Sequence, residues 1–480
     1  MSASGLSAAI RQRAQTLVPD GISNEMAVLA PAAFLSALLL VRPLLDFSSE
    51  DQVSVAGLSL NAASAIGILV IIVLLGAVAH QRSLVRPAGT TGFVAVIVCS
   101  GLAAILAMVE LSPEIGQKPL QELVRIAAIF AVFLFAANYV RDATMVRRLF
   151  LVVALSAVIP ALVGIFQVAT GSVPVAVDLT VRRINSTFDG PIPCGDYMAI
   201  AALILIAIPR NELRLSIRIV ALVPILAALV LTYSRSSWAI FLLGVLILEF
   251  RRRKALVAAM IAIAVAITFA VPSVHDRVLP STGNSDPYSS YQWRIDNWKY
   301  YWQKYEDRPI TGFGLRSSAV ASPTGYTSKS GRTQTNVLYD AHNSVLKFLF
   351  EGGIFLLAAW ATLMFLIMRK LYRLARGRWS LAWHAYLLFV LWALLIFEGL
   401  VAEDPFVATA EMYAMCALTG ALFGTYLSRD RDTLTASTHW PKVSIPRFLQ
   451  RKRNRGEQTG SGESASRGRV QPTPDGATTE

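Results

Sequence analysis

Apolar residues run along this chain in blocks separated by short polar connections. As helices most of these blocks match the roughly 30 Å hydrocarbon core of a bilayer, the shortest being 195–209 and 236–250. The blocks lie near 26–45, 60–79, 91–110, 123–140, 149–170, 195–209, 217–233, 236–250, 255–272, 343–368, 382–401 and 408–427. The pattern predicts an all-α polytopic membrane protein with about twelve transmembrane helices. One interruption is far longer than the rest, residues 273–342, between the ninth and tenth predicted helices.

Basic residues orient this arrangement. Lys and Arg gather in short cytoplasmic connections. Here nineteen fall in one alternate set, including Arg251-Arg252-Arg253-Lys254, against Lys118, Arg182, Arg183 and Arg235 in the other. Merging 217–250 into one helix would put the Arg251 cluster on the wrong side, so the Tyr233-Ser234-Arg235 interruption is a turn between two spans. The expected organisation is a cytoplasmic N-terminus (1–25), helices one to nine (26–272), a large periplasmic loop (273–342), helices ten to twelve (343–427) and a disordered basic cytoplasmic tail (428–480). No cleavable signal peptide is expected, because residues 1–25 lack an apolar core.

Composition supports the class: 54% of residues are hydrophobic and 16% charged. The formal net charge of +13 lies mostly where anionic lipid attracts it, so membrane lipids are the expected partners and nucleic acid is not. Three cysteines, two of them inside predicted spans, imply no structural disulfide.

Candidate chemistry lies in three outward connections. The first, 171–193, contains Arg182-Arg183 and Gly190-Pro191. The second is the turn Thr232-Tyr233-Ser234-Arg235-Ser236-Ser237-Trp238, and the third is the long loop. In that loop Tyr291, Ile295, Trp298, Trp302 and Tyr305 recur at helical spacing, which predicts an amphipathic helix whose aromatic stripe packs on the bundle, rests in the membrane interface or stacks on sugar rings. Arg294, Lys299 and Tyr301 fall on its other faces. Pro309 ends it, Gly312 and Gly314 shape a turn, and 315–340 reads as a mobile Ser/Thr/Gly-rich loop. Asn343 or Ser344 then caps an apolar helix, which sets His342 beside the positive end of a helix dipole.

Arginine offers a planar, permanently charged fork for phosphate oxygens, and histidine exchanges a proton near neutral pH. A phosphate-linked donor and a hydroxyl acceptor need both. Each group alone also fits a plainer role, the arginines as lipid-phosphate contacts and the histidine as an exposed loop residue. The five histidines are scattered, so no metal site is expected, and no nucleotide-phosphate loop occurs.

These residues, Ser234-Arg235-Ser236-Ser237-Trp238, Trp293-Arg294 with Trp298, Arg308-Pro309-x-x-Gly312-x-Gly314 and Ala341-His342-Asn343 followed by Glu351-Gly352-Gly353, resemble the O-antigen ligase and polymerase family of bacterial inner membranes, over about 180–355. The resemblance implies transfer of a glycan from an undecaprenyl diphosphate carrier to an acceptor hydroxyl, on lipid A core or on another glycan. The reaction would run at the periplasmic face without metal, nucleotide or other cofactor. It implies that Arg235 and Arg294 engage the diphosphate, with Arg183 as a further candidate, and that His342 is the base, which Asp340 or Glu351 would orient. A ligase of lipopolysaccharide assembly is the leading reading, ahead of an O-antigen or exopolysaccharide repeat-unit polymerase. A polysaccharide or lipid-linked glycan transporter and an inactive assembly scaffold are more distant ones.

Overall fold

The computed structural model describes residues 20–45, 53–55, 58–60, 62–80, 85–111, 117–172, 183–250, 252–272, 274–275, 290–319, 326–327, 333–334, 341–402 and 410–428. The expected cytoplasmic N-terminus, apart from its last six residues, and nearly all of the expected tail lie outside them.

The helices are α1 (Asp20–Val41), α2 (Ala62–His80), α3 (Thr90–Glu110), α4 (Lys118–Tyr139), α5 (Ala143–Ser156), α6 (Val158–Thr170), α7 (Pro191–Ala207), α8 (Leu215–Leu231), α9 (Arg235–Glu249), α10 (Lys254–Ala270), α11 (Ser290–Asp307), α12 (Ser344–Ala375), α13 (Ala382–Val401) and α14 (Ala410–Ser428). Two short antiparallel hairpins pair Val53–Val55 with Leu58–Leu60 and Tyr326–Thr327 with Thr333–Gln334. A helix stands at every predicted apolar block. Among the described residues, five stretches are long and apolar enough to cross a membrane: α3, α4, the joined α5 and α6 (Ala143–Thr170), α12 and α13. The count of twelve spans does not follow from the helices themselves. α7, α8 and α10 have 17 residues and α9 has 15, fewer than the roughly 20 that an untilted crossing needs.

Small residues bring the central helices together, as expected where apolar solvent supplies no hydrophobic drive and close packing must do so. α14 is buried over nearly its whole length. Gly420 and Gly424 meet the Phe133 and Ala137 carbonyls of α4 so closely that no Cβ fits. α7 is buried from Cys194 to Ala207 and packs against α8 and α9.

α12 is broken at Gly353, which has a left-handed φ of 64°. A break in an apolar bundle strands carbonyls and N–H groups at a cost of several kcal/mol each. The Arg308–Gly314 segment meets that demand. Phe313 N donates to Phe350 O at 2.8 Å, Gly314 N to Glu351 O at 2.9 Å, and Ile354 N to Pro309 O at 3.0 Å. Gly312 and Gly314 both have positive φ, and a Cβ at Gly312 would lie 2.6 Å from Phe350 O. This motif therefore works as a backbone plug. Arg308 anchors it by an ion pair with Glu110 at the end of α3.

Two sequence expectations change here. The buried face of α11 carries Asn297 and Tyr301, each almost fully enclosed. Tyr301 forms a T-shaped pair with Phe350 at 4.9 Å and donates to Ser318 O, whereas Trp302 of the expected stripe is half-exposed. The buried face is set by what surrounds α11: Tyr301 packs on Phe350 and reaches Ser318 O, while Trp298 reaches Ala341 O. Residues 315–319 of the expected mobile loop are packed in place, and most of the rest of it lies outside the described residues. Leu315 N donates to Ala103 O at 2.9 Å, and Ser317 and Ser318 are buried.

Candidate active site

Arg183 and Arg235 meet at one turn. The Arg183 Nε donates to Thr232 O at 2.9 Å, and Ile184 N donates to Leu231 O at 3.3 Å. The rest of the 183–190 segment is riveted in place. Gln167 brackets Ser186 through its N–H and carbonyl, Ser186 Oγ reaches Pro160 O at 2.5 Å, and Thr187 Oγ1 reaches Pro43 O at 2.6 Å. Across the turn Tyr233 takes a left-handed φ of 49°. Ser234 then caps α9 by accepting from Ser237 N. Arg235, the first residue of α9, is thereby presented at the surface, exposed and at the positive end of the helix.

His342 is built by a second turn. It is half-buried with φ of 48°, between buried Ala341 and Asn343. Asn343 is the N-cap of α12: its Oδ1 accepts from Leu346 N at 3.1 Å and its Nδ2 donates to Leu400 O at the end of α13 at 2.7 Å. Trp298 Nε1 donates to Ala341 O at 3.1 Å. Half-buried Arg294 stands one turn before Trp298 on α11, so the helix carrying it is pinned beside His342. Burial pushes the nearby Tyr300 phenol up, partly offset by Lys304.

The two turns lie at one end of the bundle. Arg252, just past the end of α9, stacks on Trp383 at the start of α13 at 4.4 Å, and α9 packs along α13. The helices are therefore antiparallel, and Arg235 points toward the end of α13, where Leu400 holds Asn343. Among the described residues, all four non-glycine residues with positive φ, Ser186, Tyr233, Arg316 and His342, fall in the three connections that carry the candidate residues. Such conformations cost about 1–3 kcal/mol each and cluster where function over-determines the backbone.

Glu351 is fully buried and accepts from Ser318 Oγ at 2.5 Å, which secures the loop against α12. With Glu122 and Lys347 it lines a small, largely apolar cleft between α3, α4 and α12, together with Phe93, Trp360 and Leu363. Asp340 lies outside the described residues.

Sequence reasoning missed Asp196, a buried carboxylate on α7, although an acid inside an apolar block is expensive and for that reason a signal. It also missed the role of Ser237, whose partners are remote in sequence.

No curated protein matches the chain. Residues 220–361 match the family model described as O-antigen ligase. Arg235, Arg294 and His342, which two strained turns and one pinned helix bring to one end of the bundle, all fall inside the stretch that matches this family model.

Proposed function

We propose that the protein is a membrane glycosyltransferase that moves a glycan from undecaprenyl diphosphate to an acceptor hydroxyl at the periplasmic face of the inner membrane. The bundle crosses that membrane about twelve times. The observation that carries this reading is the family match over 220–361 combined with the placement of Arg235, Arg294 and His342 on turns that share one end of the fold.

The reaction is a single displacement. The acceptor oxygen bonds to the anomeric carbon while the bond from that carbon to the diphosphate oxygen breaks, and the hydroxyl proton passes to His342. Arg235 and Arg294 stabilise the negative charge that develops on the departing diphosphate. Arg183, whose Nε donates to Thr232 O, holds the Arg235 turn beside the same anion. The isoprenoid chain of the carrier lies along the flank of the bundle. Glu351 and, by its place in sequence, Asp340 set the orientation of the His342 turn, Glu351 through the loop it binds.

A ligase acting on lipid A core is favoured over a repeat-unit polymerase because the His342-Asn343 turn and both arginines keep the ligase-type pattern. Purified protein supplied with undecaprenyl diphosphate-linked glycan tests the reading. Transfer to lipid A core supports a ligase, transfer to a second lipid-linked glycan identifies a polymerase, and no transfer to either overturns the proposal.

A further inference from the structure

We infer that Asp196 is a positioning residue for Arg235, acting through Ser237 and Ser234. The inference rests on the reading of Arg235 as a diphosphate contact. Asp196 is 2% exposed and Ser237 is fully enclosed. The Ser237 Oγ donates to Asp196 Oδ1 at 2.6 Å and lies 2.8 Å from Ser234 Oγ. A hydroxyl has a single proton. The short bond to the carboxylate takes it, so Ser234 supplies the proton of the second bond.

The chain of bonds runs in one direction, from the Asp196 carboxylate to Ser237, then to Ser234. Ser234 is the cap that starts α9, and Arg235 is the next residue. Nothing larger than hydrogen fits at the neighbouring position on α7, since a Cβ on Gly195 would sit 2.5 Å from Ser237 Oγ. α7 and the turn are thus seated in contact, and the carboxylate is the fixed end. Three further bonds constrain the same turn: Ser234 N to Thr232 Oγ1 at 3.3 Å, Thr232 Oγ1 to Leu229 O at 2.7 Å and Trp238 Nε1 to Leu229 O at 2.8 Å. These act within the turn and its two helices. Asp196 alone in this set references the turn to another helix of the bundle.

A double-mutant cycle tests this. Steady-state transfer is measured against lipid-linked donor for Asp196→Ala, Ser237→Ala and Arg235→Ala, and for the pairs of each of the first two with Arg235→Ala, with thermal unfolding of each purified variant. Asp196→Ala and Ser237→Ala are expected to raise the donor KM about 2- to 10-fold, the range of one hydrogen bond, with kcat within about twofold. In the Arg235→Ala background neither should add more than about twofold. Asp196→Asn keeps an acceptor for Ser237 and should restore most of the donor KM.

Equal KM effects of Asp196→Ala with and without Arg235 overturn the inference while leaving the arginine reading intact. So does a wild-type KM for Ser237→Ala, which is small enough to keep the fold. Wild-type kcat and donor KM together for Arg235→Ala remove the arginine reading itself, and the positioning role with it.

Discussion

The two ends of the bundle use the same residue types differently. At the end opposite the candidate site, His384 is fully buried in regular helix. Its Nε2 lies 3.2 Å from Glu212 Oε2, and its ring packs edge-on against Phe150 at 5.0 Å. Arg147 pairs with Glu212 at 3.3 Å, Arg253 with Glu249 at 3.4 Å, and Arg218 donates to the Ile208 and Pro209 carbonyls. These charges pair with one another and with helix-end carbonyls. At the candidate end His342 sits half-buried on a left-handed residue and Arg235 stands exposed on a capped helix start. A histidine or arginine thus tells little by its type. The backbone under it separates a group enclosed in regular helix from one presented at a turn.

The comparison breaks most sharply in topology, where an all-or-none result is expected. A cysteine at Lys299 should react with an impermeant thiol reagent in intact cells, and one at Arg252 should react only after lysis. Reaction of both in intact cells, or of Arg252 alone, would reverse the assignment of ends.

Next in size is the contrast between the histidines. His342→Ala should lower transfer about 10²–10⁴-fold, the contribution of a positioned base, with donor binding retained and some recovery at higher pH, where the acceptor hydroxyl needs less help. His384→Ala should instead cost stability, about 1–3 kcal/mol for the partner it deprives, with normal transfer per folded molecule. A loss of donor binding in His342→Ala with unchanged turnover would make the imidazole a phosphate contact.

Arg235→Ala and Arg294→Ala come third, each expected to lower transfer about 10- to 100-fold, as a charge-assisted bond of about 1.5–3 kcal/mol predicts. Lys at either position should recover only part of it, since it keeps the charge and loses the fork. Thermal unfolding separates this from the behaviour of Gly353→Ala, which should lose folded protein because a Cβ there runs into the Ile310 carbonyl. The smallest effect expected is that of chelator. Transfer should survive EDTA, and activity abolished by EDTA and restored by Mg²⁺ would sink the metal-free mechanism.

What the sequence determined is what repetition and local chemistry encode. Apolar blocks placed a helix at each of twelve positions because burying backbone polar groups in an apolar solvent leaves no other local solution. The Tyr233-Ser234-Arg235 turn, the Asn343 cap and the end of α11 before Pro309 were legible for the same reason, each being set by residues within one turn of itself. The matched stretch over 220–361 was visible in spaced polar motifs against that apolar ground. Tertiary structure decided the rest. Which face of α11 is buried depends on a wall contributed by residues 341–350. The purpose of Gly312 and Gly314 appears only when Gly353 breaks α12 and strands the Phe350 and Glu351 carbonyls. The Asp196 to Ser237 bond joins residues 41 positions apart, and the Asn343 to Leu400 bond joins residues 57 apart. No periodicity announces such pairs, because a hydrogen bond between distant segments depends on where packing carries them and leaves no spacing in the chain to be read.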